Sequence, residues 1–247
     1  MSELDTNVTQ SESKYDSAEF AKNARQMSVE IKNRVEIEGI IDSEIVLDHM
    51  SHNEGIYRFT LKVPRLRKDV YDYLPVDLPE KILDETKYEK GDTVSIVGQF
   101  RSYNIKDDIN PNHMKLVLYI FVEDICKTEK LEKINVIRLH GHLCKTPNYR
   151  KTATGREICD LLMAVNRNYN RCDYLPCITW GRDAKYSSNF TIGSNLYVTG
   201  RIQSRTYRKY NKADDTYTEN EVYEVSVSDV RELDEDAKVL MQMDVED

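Results

Sequence analysis

The chain has 247 residues, of which 40% are hydrophobic and 32% charged, and its formal net charge at pH 7 is −8. This composition is not that of a fibrous or wholly disordered protein, and the length allows two domains that each bury a core. No segment approaches the roughly 20 uncharged apolar residues of a membrane helix. The start, MSELDTNVTQSESK, lacks the basic and apolar parts of a signal peptide, so we expect a cytoplasmic protein without a membrane partner.

The chain begins with a polar segment. Residues 1–28 show no apolar pattern that would require a core, so we expect residues 1–32 to form a flexible N-terminal arm. A single short helix is predicted within it, at Ser17–Met27.

The positions of the glycines reveal an internal repeat in the remainder. The sequence has nine glycines, and eight of them form pairs about 102 residues apart. Because glycine marks turns and close backbone approaches, a shared spacing indicates that the backbone repeats its turns. The pairs are Gly39 with Gly141, Gly55 with Gly155, Gly91 with Gly193, and Gly98 with Gly200, which leaves Gly181 unpaired.

Residues between the glycines support two copies of one fold. NRVEIEG (33–39) matches NVIRLHG (135–141), and GDTVSIVGQFRS (91–102) matches GSNLYVTGRIQS (193–204). Apolar residues alternate in these segments, as expected for half-buried strands, and each copy has one short helical signal before its fourth strand, at 79–88 and 182–190. This order is that of the oligonucleotide/oligosaccharide-binding (OB) barrel.

We therefore predict an all-β protein with short helices, built from two tandem five-stranded Greek-key OB barrels. The first barrel is expected over residues 33–126 and the second over residues 135–230. A charged linker, residues 127–134, connects them, and residues 231–247 form an acidic C-terminal tail.

Charge is distributed unevenly along the chain. Residues 33–126 carry a net charge of −6, residues 135–212 one of +10, and residues 213–247 one of −11. A basic block of this size favours a polyanionic partner, although a solvated basic surface is the plain alternative.

Aromatic residues are interleaved with the cations of the second copy. A protein that binds single strands without recognising their sequence needs cations that contact phosphates and flat side chains on which bases stack. Any one tyrosine in a strand is more often a packing residue than a stacking platform. Tyr169, Tyr207 and Tyr210, however, lie in polar hairpin sequences where burial is hard to arrange.

Signals for other chemistry are weak. His140, His142 and Cys144 alternate on one strand, but a fourth ligand at metal spacing is lacking, so we expect neither metal nor cofactor. Asp107–Asp108 and Asp214–Asp215 are interpreted as solvated hairpin tips. The five cysteines form no CxxC pair and should be reduced. No P-loop or nucleophile-elbow motif occurs, so we predict that the chain is not an enzyme.

At 135–186 and 192–207 the second copy resembles the bacterial single-stranded DNA-binding proteins, in the tandem-barrel form of clostridia-like bacteria. The first copy resembles the family more loosely, through GIYRFTLKVPRL (55–66), YLPV (73–76) and VGQFRSYN (97–104). The family's first-strand turn and arginine look like Gly141, Leu143, Pro147 and Arg150 here.

The resemblance implies four stacking aromatics, three of them tyrosine where tryptophan or phenylalanine is common. They correspond to Tyr169, Tyr174, Trp180 and Tyr207. Basic side chains of the same copy are expected to contact phosphates: Arg150, Lys151, Arg156, Arg167, Arg171, Arg182, Arg201, Arg205, Arg208 and Lys209. A minor site in the first copy would use Arg65, Tyr73, Arg101 and Tyr103.

The predicted function is sequence-independent binding and protection of single-stranded DNA in replication, recombination and repair. Because the family assembles four barrels, we expect a homodimer in which first strands pair edge to edge. The family's tail usually ends in an aromatic residue that docks partner enzymes, whereas this chain ends in MQMDVED, which leaves recruitment of replication and repair proteins open. The alternative is an OB-fold protein-interaction module, a replication or primosome accessory that binds an acidic protein.

Overall fold

The computed structural model describes residues 32–83, 88–106, 114–211 and 216–233. The predicted helix at Ser17–Met27, both predicted hairpin tips and most of the predicted tail lie outside these ranges. No helix among the described residues is long and apolar enough to cross a membrane.

The first copy is a closed β-barrel of five strands with one additional edge strand. The ring closes because the first strand pairs antiparallel with both the third and the fifth strand of the chain. A short parallel pairing, Val76 with Ile120, joins the fourth strand to the sixth. The strands are β1 (Asn33–Ile41), β2 (Val46–Ser51), β3 (Glu54–Pro64), β4 (Tyr71–Pro79), β5 (Thr93–Lys106) and β6 (Met114–Lys127).

The second copy repeats this topology, with the parallel pairing now between Cys177 and Val225. This strand order is that of the OB fold, so the prediction of two tandem OB barrels is confirmed. The elements are β7 (Asn135–Leu143), β8 (Asn148–Lys151), β9 (Glu157–Arg167), β10 (Arg171–Trp180), α1 (Arg182–Ser187), β11 (Asn195–Asn211) and β12 (Thr216–Glu232).

The two predicted helical segments have different outcomes. Helix α1 forms where the second copy predicts it. In the first copy, strand β4 continues through Pro79, and residues 80–82 make a turn in which the Leu83 amide donates to the Pro79 carbonyl at 3.1 Å. Residues 84–87 are outside the described ranges, so the described part of this segment is a turn instead of a helix.

Apolar side chains that alternate with outward-facing residues along the strands fill the interiors of both barrels. Val35 and Ile37 of β1 and Ile137 and Leu139 of β7 are each fully buried. Since successive strand residues point to opposite faces, the intervening residues face outward and the barrel interior closes over the apolar ones.

Three of the four glycine pairs occupy equivalent positions. Gly98 and Gly200 both lie at β-bulges, where an added Cβ would approach the carbonyl oxygens of Phe121 and Ser226 to 2.1 and 2.4 Å. The pairing of Gly55 with Gly155 is wrong. Gly55 lies in β3, whereas Gly155 has a φ of 77° in the turn after β8, which only glycine adopts readily.

The barrels are joined inside the chain by an antiparallel ladder between β1 and β7, which runs from Asn33 opposite Leu139 to Ile37 opposite Asn135. The sequence prediction placed this first-strand pairing between two chains. The short linker explains the difference, because the Glu38 amide donates to the Ile134 carbonyl at 2.8 Å and so brings the end of the linker onto β1. Both first-strand edges are thereby covered within one molecule.

Two buried aspartates fasten the barrels at symmetric positions. Asp72 of β4 accepts a hydrogen bond from the Ser204 amide of β11 at 2.7 Å, and Asp173 of β10 accepts one from the Ser102 amide of β5 at the same distance. The two serine hydroxyls in turn contact the Tyr73 and Tyr174 amides, at 3.2 and 2.8 Å. We call these contacts the Asp72 clamp and the Asp173 clamp.

Candidate nucleic-acid interface

The turn between β9 and β10 presents the most exposed tyrosine of the second barrel among the described residues. Tyr169 and Asn170 have φ angles of 61° and 55°, and the Tyr169 side chain is 95% exposed. A left-handed conformation is unfavourable for tyrosine, and such strain often marks a functional position. Tyr174, further along β10, is 39% exposed.

The other two predicted stacking residues lie in β10 and β11. Trp180 ends β10, is partly buried, and its indole Nε1 donates to the Ser226 hydroxyl at 3.2 Å. Tyr207 lies in β11 opposite Asn220, but its side chain, like those of Arg208 and Lys209, is not described. The ring of Trp180 is therefore used in part for packing within the second barrel.

Several predicted phosphate contacts have carboxylate partners. Arg150 donates to both oxygens of Asp160, at 2.8 and 3.1 Å, and this hydrogen bonding raises the pKa of Arg150. Arg205 lies 3.7 Å from Glu224. Lys151 lies 3.8 Å from Glu157 and Arg182 the same distance from Asp183. The side chains of Lys151 and Arg182 are nevertheless 66% and 96% exposed, so weak surface pairs of this kind leave them available to a phosphate.

Arg167 and Arg201 belong to the junction of the barrels. Arg167 Nε lies 3.2 Å from Asp173 Oδ2, and its side chain is 19% exposed. Arg201 donates to Gln203 Oε1 at 2.8 Å and lies 3.5 Å from Asp72. Arg65, predicted for the minor site, pairs with Asp72 through two nitrogens. Their role as phosphate contacts stays a prediction.

Two predicted phosphate contacts are exposed and have no carboxylate within 4 Å in the described ranges. They are Arg156, in the turn after β8, and Arg171, at the start of β10. Unpaired surface cations lose no existing ion pair when they bind a phosphate, so these two arginines are the strongest of the predicted set.

The charge of the second barrel is smaller than the basic block indicates. The block ends at residue 212, but β12 brings the acidic residues that follow into the same barrel. Over residues 135–232 the net charge is +4, with 15 basic and 11 acidic residues. The cations still dominate, but they are concentrated on particular hairpins.

The first barrel carries a tyrosine surface that the sequence reasoning only partly identified. Tyr73 and Tyr103 are 39% and 38% exposed. Tyr103 contacts the Tyr119 ring edge to face, with centroids 5.6 Å apart, and Lys62 Nζ lies 4.4 Å from the Tyr71 ring centroid. Tyr71, Tyr119 and Lys62 were missed, and the alternation of β4 and β6 was the signal for the two tyrosines.

The counterpart of Tyr207 in the first barrel is Ile105. Gly98 pairs with Val35, and Gly200 pairs with Ile137, so the two copies align with an offset of 102 residues. Tyr103 therefore corresponds to Arg205. Tyr103 and Tyr207 lie on the same face of their strands, because their aligned positions are two residues apart.

Five-stranded rings with this strand order, joined through their first strands and bearing exposed tyrosines and arginines, define a tandem OB-fold protein. The wild-type single-stranded DNA-binding protein of Thermus aquaticus has a similar fold, with a TM-score of 0.63 at 20% identity over 82% of this chain and 93% of that chain.

Sequence comparison identifies a family within this class of tandem OB-fold proteins. Residues 134–233 match the model of the single-strand binding protein family. The single-stranded DNA-binding protein of Enterococcus faecalis is 37% identical over 81 residues, which are 30% of this chain and 43% of that protein. Single-stranded DNA-binding protein B of Bacillus subtilis is 34% identical over 80 residues, 30% of this chain and 71% of that protein. The chain belongs to the single-strand binding protein family. It spans less than half the length of the Enterococcus faecalis relative.

Proposed function

We propose that the chain binds single-stranded DNA without catalysing a reaction, and that its second barrel provides the main binding surface. The observation that carries the proposal is the β9–β10 hairpin of the barrel that matches the family. It presents Tyr169, 95% exposed, two residues before the unpaired Arg171. A ring and a cation at this spacing provide one base platform and one phosphate contact.

Titration with oligo(dT) tests the proposal. The chain has a single tryptophan, Trp180, so quenching of its fluorescence reports on the second barrel. Stacking predicts that saturating oligo(dT) quenches the tryptophan and tyrosine emission. Binding of an acidic protein in place of DNA predicts no quenching by oligo(dT), and that result would reject the proposal in favour of an interaction module.

We further propose that two chains associate to give four barrels, which act in replication, recombination and repair. Because β1 and β7 pair within the chain, the contact between chains must use another surface. Edge strand β2 supports this proposal, since Val46, Leu47 and Met50 are 56%, 55% and 61% exposed. Light scattering should give twice the chain mass of 28.9 kDa, and the single chain mass would contradict the dimer.

A further inference from the structure

A groove of about 1010 Å³ lies between the two barrels. One wall comes from the first barrel, through the start of β1 and the outer faces of β5 and β6, and the other from the β9–β10 hairpin. The groove thus depends on the β1–β7 ladder.

Cations outnumber acids in this groove by five to one. Glu123, the acid, accepts a hydrogen bond from Gln99 Nε2 at 2.6 Å. The basic lining residues are Lys32, Arg34, Arg101, Arg167 and Arg171.

Three of these cations lack a carboxylate within 4 Å in the part of the chain that the structure describes: Lys32, Arg101 and Arg171. Arg101 lies over the Phe121 ring at 3.6 Å, and burial lowers its pKa, yet guanidinium stays charged at neutral pH. Arg101 Nε donates to Gln99 Oε1 at 3.1 Å, and the carboxylates of Glu123 and Asp173 act on it only from beyond 4 Å. A partly buried cation without a carboxylate in contact favours binding of an anion, because the anion compensates for its lost hydration.

Groups that suit a nucleotide stand beside these cations. The exposed Tyr169 ring lies at the groove, as do the amide side chains of Asn166 and Asn168. Amides bond to phosphates and base edges, and a tyrosine stacks on a base.

The equivalent place on the opposite side of the molecule has a different composition. Positions 102 residues after Lys32, Arg34 and Arg101 hold Ile134, Val136 and Gln203. The opposite side has cations of its own, Arg65 and Arg201, but both are held by Asp72. The unpaired cations of the groove therefore have no cationic counterpart at these positions.

We propose that this groove binds the backbone of single-stranded DNA where the strand passes from the second barrel to the first, so that one strand runs continuously over both. This inference rests on the proposed function. It assigns phosphate contacts to Lys32, Arg101 and Arg171, and it connects Tyr169 and Tyr174 to the tyrosines of the first barrel.

The test compares two double variants of the full chain, each of which removes two charges from exposed positions. The groove variant is Lys32→Gln with Arg171→Gln. The matched control is Arg67→Gln with Lys68→Gln, in the β3–β4 hairpin on the opposite side. Affinities are measured for oligo(dT) of about 8 nucleotides, within one OB fold's site, and of about 35 nucleotides, longer than two such sites.

The groove variant should bind the long strand roughly 25-fold more weakly near 0.1 M salt, and its salt slope should fall by about 1.4, the contribution of two phosphate contacts. Its affinity for the short strand should fall only about 5-fold, the loss of one phosphate contact, because Arg171 also serves the second barrel alone. The control should retain both affinities. Equal losses in the two variants, no loss, or an equal loss for the short strand would overturn the groove assignment. Failure of the wild-type chain to bind either strand would instead reject the proposed function.

Discussion

Tyr169 combines strain with exposure. Its left-handed φ of 61° costs free energy, and its nearly full exposure provides no packing in return. Such a side chain contributes little to the stability of the barrel, so its effect on binding can be measured without loss of fold.

We predict that Tyr169→Ala weakens oligo(dT) binding by about 1–3 kcal/mol, the worth of one stacked base. Fluorescence titration checks the affinity. The control is Tyr186→Ala, which removes a 46% exposed ring on α1 that packs edge to face on Phe190, 4.9 Å between centroids. If the two substitutions weaken binding equally, Tyr169 is not a specific platform.

Asp173 is a buried acid in an environment that disfavours its charge. Burial raises the pKa of Asp173 above its ordinary value of 3.8, against the opposing effect of the hydrogen bond from the Ser102 amide. In a window between 3.8 and the raised pKa, the folded protein binds a proton that the unfolded chain does not.

The free energy of unfolding of the wild type should therefore rise relative to that of Asp173→Asn as the pH falls from neutral toward about 4. The substitution removes the titrating group and keeps an oxygen that accepts from Ser102. Denaturant unfolding of both proteins at several pH values measures the difference. A wild type that instead loses stability relative to the variant on acidification would show that the pKa of Asp173 is lowered.

At the scale of elements, the Asp72 clamp links β4 of one barrel to β11 of the other. Asp72 is fully buried and is shared by Arg65, Arg201 and the Ser204 amide. Removal of one partner from such a cluster leaves the others desolvated and unpaired.

Asp72→Ala should lower the free energy of unfolding by about 3–5 kcal/mol. The matched surface pair is Asp229 with Arg231, 2.9 Å apart and largely exposed, and Asp229→Ala should change the same quantity by at most about 1 kcal/mol. Chemical denaturation provides both values. Similar small losses in the two variants would mean that the clamp contributes no more than a surface pair.

The barrels could be predicted from the sequence because the glycine spacing and the apolar alternation that indicate them are local and occur twice. The spacing of Gly98 and Gly200 and the alternation around Val35 and Ile137 follow from backbone sterics and burial. The exposed turn at Tyr169 was predicted for the same reason, since polar residues surround it.

Contacts between distant residues could not be predicted in this way. The pairing of Arg150 with Asp160, or of Arg205 with Glu224, depends on strand register and on the closing of the barrel. The groove at Lys32 and Arg101 requires the relative placement of two barrels. The repeat nevertheless held a signal, because Asp72 and Asp173, like Ser102 and Ser204, are about 102 residues apart.

At the scale of the whole molecule, the difference between the barrels is one of charge and of ring position. The net charge is −5 over residues 33–127 and +4 over residues 135–232, a narrower gap than the basic block alone indicates. Phosphate attraction provides most sequence-independent affinity, so the second barrel should still dominate.

Tyr207→Ala should therefore cost about 1–3 kcal/mol of oligo(dT) affinity. Tyr103→Ala should cost clearly less. Because Tyr103 packs on Tyr119, thermal melts must accompany the titrations, and Ile105→Ala provides the position-matched control. Equal losses at Tyr103 and Tyr207 in folded proteins would show that the barrels share the strand equally.

The salt dependence of oligo(dT) affinity, followed through the quenching of Trp180, tests most directly whether cations and rings of this chain hold a single strand. Lys32, Arg101, Arg156 and Arg171 each lack a carboxylate partner within the described ranges, and each phosphate contact contributes about 0.7 to the slope of log K against log salt. We predict quenching on saturation and a slope of about −2.8 or steeper. Affinity that is unchanged between low and moderate salt, or binding without quenching, would contradict the assignment of this surface to single-stranded DNA.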